Sequence, residues 1–198
     1  MDHRRTELAR TLRDLGWWQH LPAEDAAAGE RAVAEGAHPL GGRATLDEEP
    51  GVRYFDVDGE TMAEGGVART LMEMAPALRD HGVELRVELV SHPGYVEDGD
   101  YVVAINGRPC LVWTPEDWTA VNPWWVSTVR PLAAVNDLLA EAGALPRLHT
   151  LYPGSNQGEA WLLNPRIAAA IAESGFFDPE SLPTLPPPVT PRTAGPGR

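Results

Sequence analysis

His92 stands at the end of the most regular strand-like segment of the chain and is closely followed by Glu97, Asp98 and Asp100. An imidazole next to a carboxylate at a strand end is the make-up of a general base, so His92 with Asp98 or Asp100 is the candidate catalytic acid/base pair. A solvated His-Pro-Gly turn accounts for the same residues without any chemistry. His149 lies in a second strand-like segment and could face His92 across a sheet. The His, Asp and Glu spacings do not follow a metal-ligand pattern, and neither a metal site nor a cofactor is expected.

Two other residue types could act as nucleophiles. Ser155-Asn156 sits in the Gly-rich run Pro153–Gly158, where backbone amides can turn toward a ligand, although a plain hairpin loop is the simpler reading. Cys110, the single cysteine, is flanked by Leu111 and Val112 and reads as a small buried residue. The chain contains no G-x-S-x-G, H-E-x-x-H, G-x-G-x-x-G or C-x-x-C motif. It also contains no lysine, which excludes Schiff-base chemistry, a P-loop lysine and a lysine general base within the chain.

The strongest cluster is aromatic. Trp113, Trp118, Trp124 and Trp125 fall in one short stretch with Glu116, Asp117 and Asn122. Adjacent Trp124 and Trp125 on one helix point in different directions, so one ring is expected at a rim. Trp beside carboxylates is the make-up of a protein-binding hot spot for a partner's Arg or Lys. Trp118, Trp124, Trp125, Glu116 and Asp117 are therefore the candidate partner contacts. The acidic group Asp47, Glu48, Glu49, Asp56, Asp58 and Glu60 would extend an acidic rim if the fold brings it near.

Charge supports a protein partner over a nucleic acid. The formal net charge is −13, which disfavours phosphate backbones and anionic membrane surfaces and favours a basic protein. With one cysteine there is no intrachain disulfide, and no export signal or membrane-spanning run is visible, so a cytoplasmic location is expected.

The elements that must carry these residues follow from periodicity and punctuation. Leu8, Leu12 and Leu15 mark an amphipathic helix closed by Gly16, and Pro22 to Glu35 a second, more exposed one. A strand is expected over Val52–Val57. Thr61 to Glu64 has capping-box spacing, and a helix follows through Leu78 with a kink at Pro76. Val83–Val90 alternates as a strand with one buried face. Tyr101–Ile105 and Arg108–Trp113 flank Asn106-Gly107 as a hairpin.

Thr114-Pro115 starts a short helix, Asn122-Pro123 a long one that Pro131 kinks or restarts, and Asn164-Pro165 the last. Leu148–Tyr152 and Glu159–Leu163 form a second hairpin. The expectation is a single α+β domain over 1–182, with a helical segment 1–36 and a sheet-containing core 52–177. That core holds a mostly antiparallel sheet of five or six strands with helices packed on it. A Pro-rich disordered or extended tail follows over 183–198. The reading that unites these features is a small acidic binding module without catalytic activity, which holds or neutralises a more basic partner as inhibitors and immunity proteins do. The alternative is an enzyme or small-molecule binder with a pocket between sheet and helices, using His92.

Overall fold

A long helix with a largely buried middle packs against two small sheets. The computed structural model describes residues 2–41 and 53–188. The elements in chain order are α1 (His3–Asp14), α2 (Ala23–Glu35), β1 (Tyr54–Asp56), α3 (Gly59–Thr61) and, after a π-type turn at Met62–Gly66, α4 (Val67–Arg79). Then come β2 (Val87–Ser91), β3 (Tyr101–Ile105), β4 (Arg108–Trp113), α5 (Pro115–Ala120), α6 (Pro123–Glu141), β5 (Arg147–Leu151), β6 (Glu159–Leu163) and α7 (Pro165–Glu173).

The fold is α+β, but the six strands among the described residues form two three-stranded antiparallel sheets, not the one sheet expected. The inner sheet has the order β1-β6-β5 and the outer sheet β2-β3-β4. The physical reason for the split is α6. It packs on β5 on one side and on β4 on the other, and it buries Val126 to Val129, Leu132, Ala133, Val135, Leu138 and Leu139. One helix apolar around most of its circumference needs a partner on each side.

The inner sheet is covered on both faces. Ala160 and Leu162 of β6 face the main core with α4 and α6, while Trp161 and Leu163 face a second core built from α1, α2 and α7. Such a strand reads as a continuous apolar run, as Ala160-Trp161-Leu162-Leu163 does. The outer sheet buries one face only, and β3 alternates buried and half-buried residues along its length.

Local signals place most helix ends. Asn122 accepts from the Trp124 and Trp125 amides and Asn164 from that of Arg166. Both are followed by Pro in the first turn, where its missing N–H costs nothing. Asn106 and Gly107 have φ of 49° and 77°, as a type I′ hairpin turn requires.

Several expectations are corrected. The helix cap is Asp58, whose carboxylate accepts from the Thr61 amide at 2.6 Å, and not Thr61. Thr61 is itself helical, because the helix starts after the extended Asp58, and Gly65 at φ +104° then breaks it before Val67. α4 continues through Pro76, and α6 continues through Pro131 without a restart there. Val83–Arg86 leads into β2 without forming part of it, and β2 is mostly exposed, so its one-sided burial fails beyond Val87, which is half-buried against the main core.

The segment after Leu182 is not free at its start. Thr184 pairs with Thr150 on the edge of β5, and Pro183 and Pro186 are buried. Residues 189–198 of the expected tail, Val52 of the first strand, and Asp47, Glu48 and Glu49 lie outside the described residues.

Candidate functional site

The hairpin β3–β4 sets up an aromatic ladder that reaches from the core to the surface. Simple pairing from the Asn106-Gly107 turn would put Tyr101 opposite Val112. A bulge shifts the register so that Tyr101 stands opposite Trp113. Their ring centroids are 5.9 Å apart, and His92 packs edge-on against Tyr101 at 4.6 Å and near Trp113 at 6.1 Å. Trp118 closes the series at 5.6 Å from Trp113, with the planes 84° apart. Edge-to-face pairs of this kind add about 0.5–1.5 kcal/mol each beyond the area they bury.

Each member is held by a specific device. Trp113 is buried and donates its indole N–H to the Ala63 carbonyl at 2.9 Å, a carbonyl available because the π-type turn interrupts the helix. Gly65 lies in that turn, and a side chain there would begin 3.5 Å from His92 Nε2. That distance is ordinary contact, so glycine is required here by its φ of +104° and not by the imidazole. Tyr101 is fully buried, and its hydroxyl makes no hydrogen bond of good geometry. Burial pushes its pKa up to about 12, with the Val67 amide opposing the shift, so it stays neutral.

Trp118 sits on α5, which is clamped at its start. Thr114 and Asp117 form a reciprocal capping box, and Asp117 also takes a bidentate ion pair from Arg130 at 2.6 and 3.0 Å. Burial tends to raise the Asp117 pKa. The hydrogen bond from Arg130, the Thr114 amide, the Arg130 charge and the Thr114 hydroxyl outweigh it and hold the carboxyl below its usual range.

The residues expected to bind a partner therefore separate. Trp118 is 38% exposed and Glu116 is exposed. Asp117 is turned inward and positions α5. Trp124 and Trp125 are both half-buried against the main core, close to Gly59 and Gly154. Gly154 has φ +81°, and a Cβ on it would lie 2.7 Å from the Trp125 backbone, so this crossing requires glycine. Asp56, Asp58 and Glu60 are occupied elsewhere: Asp58 caps α3 and Glu60 accepts from Asn156 at 3.3 Å.

No catalytic set assembles around His92. Its ring meets Tyr101 and Trp113, and among the described residues no hydrogen bond or ion pair joins it to Asp98 or Asp100. His149 is on the inner sheet and does not face it. His149 is buried opposite Trp161, with Nδ1 3.0 Å from the Arg147 carbonyl. Ser155 spends its hydroxyl on its own loop, donating to the Tyr152 carbonyl. Burial pushes the Cys110 thiol up to about 11, against a small opposing effect of Arg130, so no thiolate is available. Among the described residues no group of His, Cys, Asp and Glu could hold a metal ion, and no helix is long and apolar enough to cross a membrane.

Sequence reasoning missed Tyr95, which is 77% exposed beside α5, and Arg130 as the partner of Asp117. It also missed the ladder through Tyr101. The hairpin turn was visible, but the bulge that aligns Tyr101 with Trp113 leaves no mark in composition. No protein-family model matches the chain, and neither a curated protein nor a solved structure matches it at a significant level.

Proposed function

We propose that the protein is a binding module without catalytic activity, working inside the cell, which holds a basic partner protein on the ledge formed by α5 and the turn after His92. The observation that carries this reading is Trp118. It is partly exposed and backed edge-on by the buried Trp113, which is itself hydrogen-bonded to the Ala63 carbonyl. A ring immobilised before binding loses little entropy when a partner arrives. Beside it Glu97, Asp98 and Glu116 are exposed, and α5 packs against the turn Val96–Asp98. An Arg or Lys over an indole face with carboxylates at the rim combines cation–π attraction with electrostatic steering.

Trp118 and Glu116 are the contacts in this reading, with Tyr95 and His92 beside them. Asp117 with Arg130, and Trp124 with Trp125, hold the ledge in place. The test is retention from the source lysate at low and high salt, with Trp118→Ala and Glu116→Ala compared against the native chain. One basic protein should be retained at low salt and weakened at high salt, and Trp118→Ala should cost at least about 2 kcal/mol, roughly a thirtyfold loss. Equal retention by all three proteins, or no basic protein retained at all, would reject the reading.

A further inference from the structure

The outer sheet leaves β2 with an open edge, because the strand order is β2-β3-β4 and among the described residues nothing pairs with its outer side. Its backbone orientation follows from the residue before it. The Arg86 amide donates to Asn106 Oδ1 at 2.7 Å and the Arg86 carbonyl accepts from the Asn106 amide at 2.8 Å, so both groups of Arg86 point toward β3. Antiparallel ladders alternate, so Glu88 also points inward, whereas Val87 and Leu89 aim their N–H and C=O groups out of the sheet. Leu89 is 62% and Val90 60% exposed there, and no Lys or Pro guards the strand.

We propose that this edge pairs antiparallel with the same edge of a second copy of the chain, centred on Val87. The alternatives are limited. Centring on Glu88 would set the two Glu88 carboxylates directly opposite one another, which is repulsive. Centring on Leu89 would run the ladder into the bulge between Leu89 and Ser91. Centring on Val87 places Arg86 of each copy opposite Glu88 of the other, and Leu85 opposite Leu89. Arg86 and Glu88 are both exposed and alternate with Val87, which stands opposite Ile105 on the core-facing side. Centring on Leu85 would set Arg86 opposite Glu84, but Glu84 already pairs with Arg79 at 3.0 Å and the ladder would move off β2 onto the segment before it. Arg86, just before the strand, offsets Glu88 within it, so pairing does not concentrate the charge of −13 at the contact. A foreign basic strand would meet Arg86.

The experiment is sedimentation equilibrium of the full chain over a range of concentrations at about 0.15 M salt, where the Debye length is about 8 Å. The native chain should move from the mass of one copy toward that of two as concentration rises. Arg86→Glu and Glu88→Arg should each remain monomeric with unchanged circular dichroism. An equimolar mixture of the two should form a heterodimer, and the double variant should dimerise again. Trp118→Ala should dimerise like the native chain, which separates this contact from partner docking. A native chain that stays monomeric overturns the proposal and leaves the edge to a foreign strand. A dimer indifferent to both charge reversals overturns it as well.

Discussion

The two sheets have the same size and the same antiparallel pairing, yet they treat their edges and faces in opposite ways. The inner sheet is buried on both faces, its edge strand β1 is only three residues long, and its other edge is closed by the pair Thr150 and Thr184. There the Thr150 amide donates to the Thr184 carbonyl at 2.7 Å and the reverse bond measures 3.0 Å. The outer sheet covers one face, leaves β2 open, and carries the partly exposed Trp118 beside it. Short edges and covered edges are how sheets avoid unwanted pairing. The contrast teaches that this chain isolates its inner sheet and offers its outer sheet for contact.

The contrast breaks most sharply if the inner sheet proves dispensable. Trp161→Ala removes a ring that is 2% exposed and packs against Trp17 and Tyr54 at 6.1 and 5.0 Å. Truncation of such a side chain costs about 3–5 kcal/mol, and urea denaturation should show a loss of that size. By comparison Trp118→Ala should cost less than about 1 kcal/mol of stability, because its ring already meets water.

The largest effect on the outer side should come from the clamp under α5. Arg130→Ala strands Asp117, whose carboxylate is buried beside Thr114. Removing one partner of a buried pair costs about 3–5 kcal/mol, and the partial exposure of Arg130, 27% of its side chain, brings the expectation to about 2 kcal/mol. Partner retention should fall in this variant too, since α5 would lose its anchor. Retained binding with lost stability would mean that Trp118 does not depend on the clamp.

Acid should soften the inner half before the outer one. Burial holds His149 below its ordinary pKa, against a smaller opposing effect of the Arg147 carbonyl, and burial does the same to His38, opposed by the Ser181 backbone. A histidine with a depressed folded pKa is neutral in the native state, while the unfolded chain takes up protons from about pH 6.5 downward. Stability is therefore full above that value and falls as the pH drops through it toward the folded pKa. Asp117, also depressed, keeps its contribution down to about pH 4 and loses it only as pH falls through its folded pKa. Thermal melts from pH 7.5 to pH 5 should fall progressively, and His149→Gln should flatten part of that slope.

The elements were legible wherever the signal was local. α1, α6 and α7 followed from periodicity and caps, and Asn106-Gly107 with Asn122-Pro123 marked their turn and cap in residues close in sequence. What sequence could not show was long-range pairing. β1 pairs with β6 through Tyr54 and Trp161, and Thr184 with Thr150, across segments whose composition gives no register. The split into two sheets arises because α6 needs cover on both sides, a property of its whole circumference and not of one stripe. At the site, the tryptophans and Glu116 were visible by type, but burial sorted Trp118 from Trp124 and Trp125, and only three-dimensional contact joined Asp117 to Arg130.

The finest test of the contrast uses one residue type at both edges. Thr184→Pro deletes the amide that bonds to the Thr150 carbonyl at 3.0 Å, so it should cost about 0.5–1.5 kcal/mol. Val87→Pro deletes an amide that points away from β3, and proline is tolerated on the free side of an edge strand. At concentrations too low for association its cost should be smaller, within about 0.5 kcal/mol of the native chain. Equal losses at the two positions would show that the Val87 amide has a partner within the chain, and the outer edge would then be as closed as the inner one.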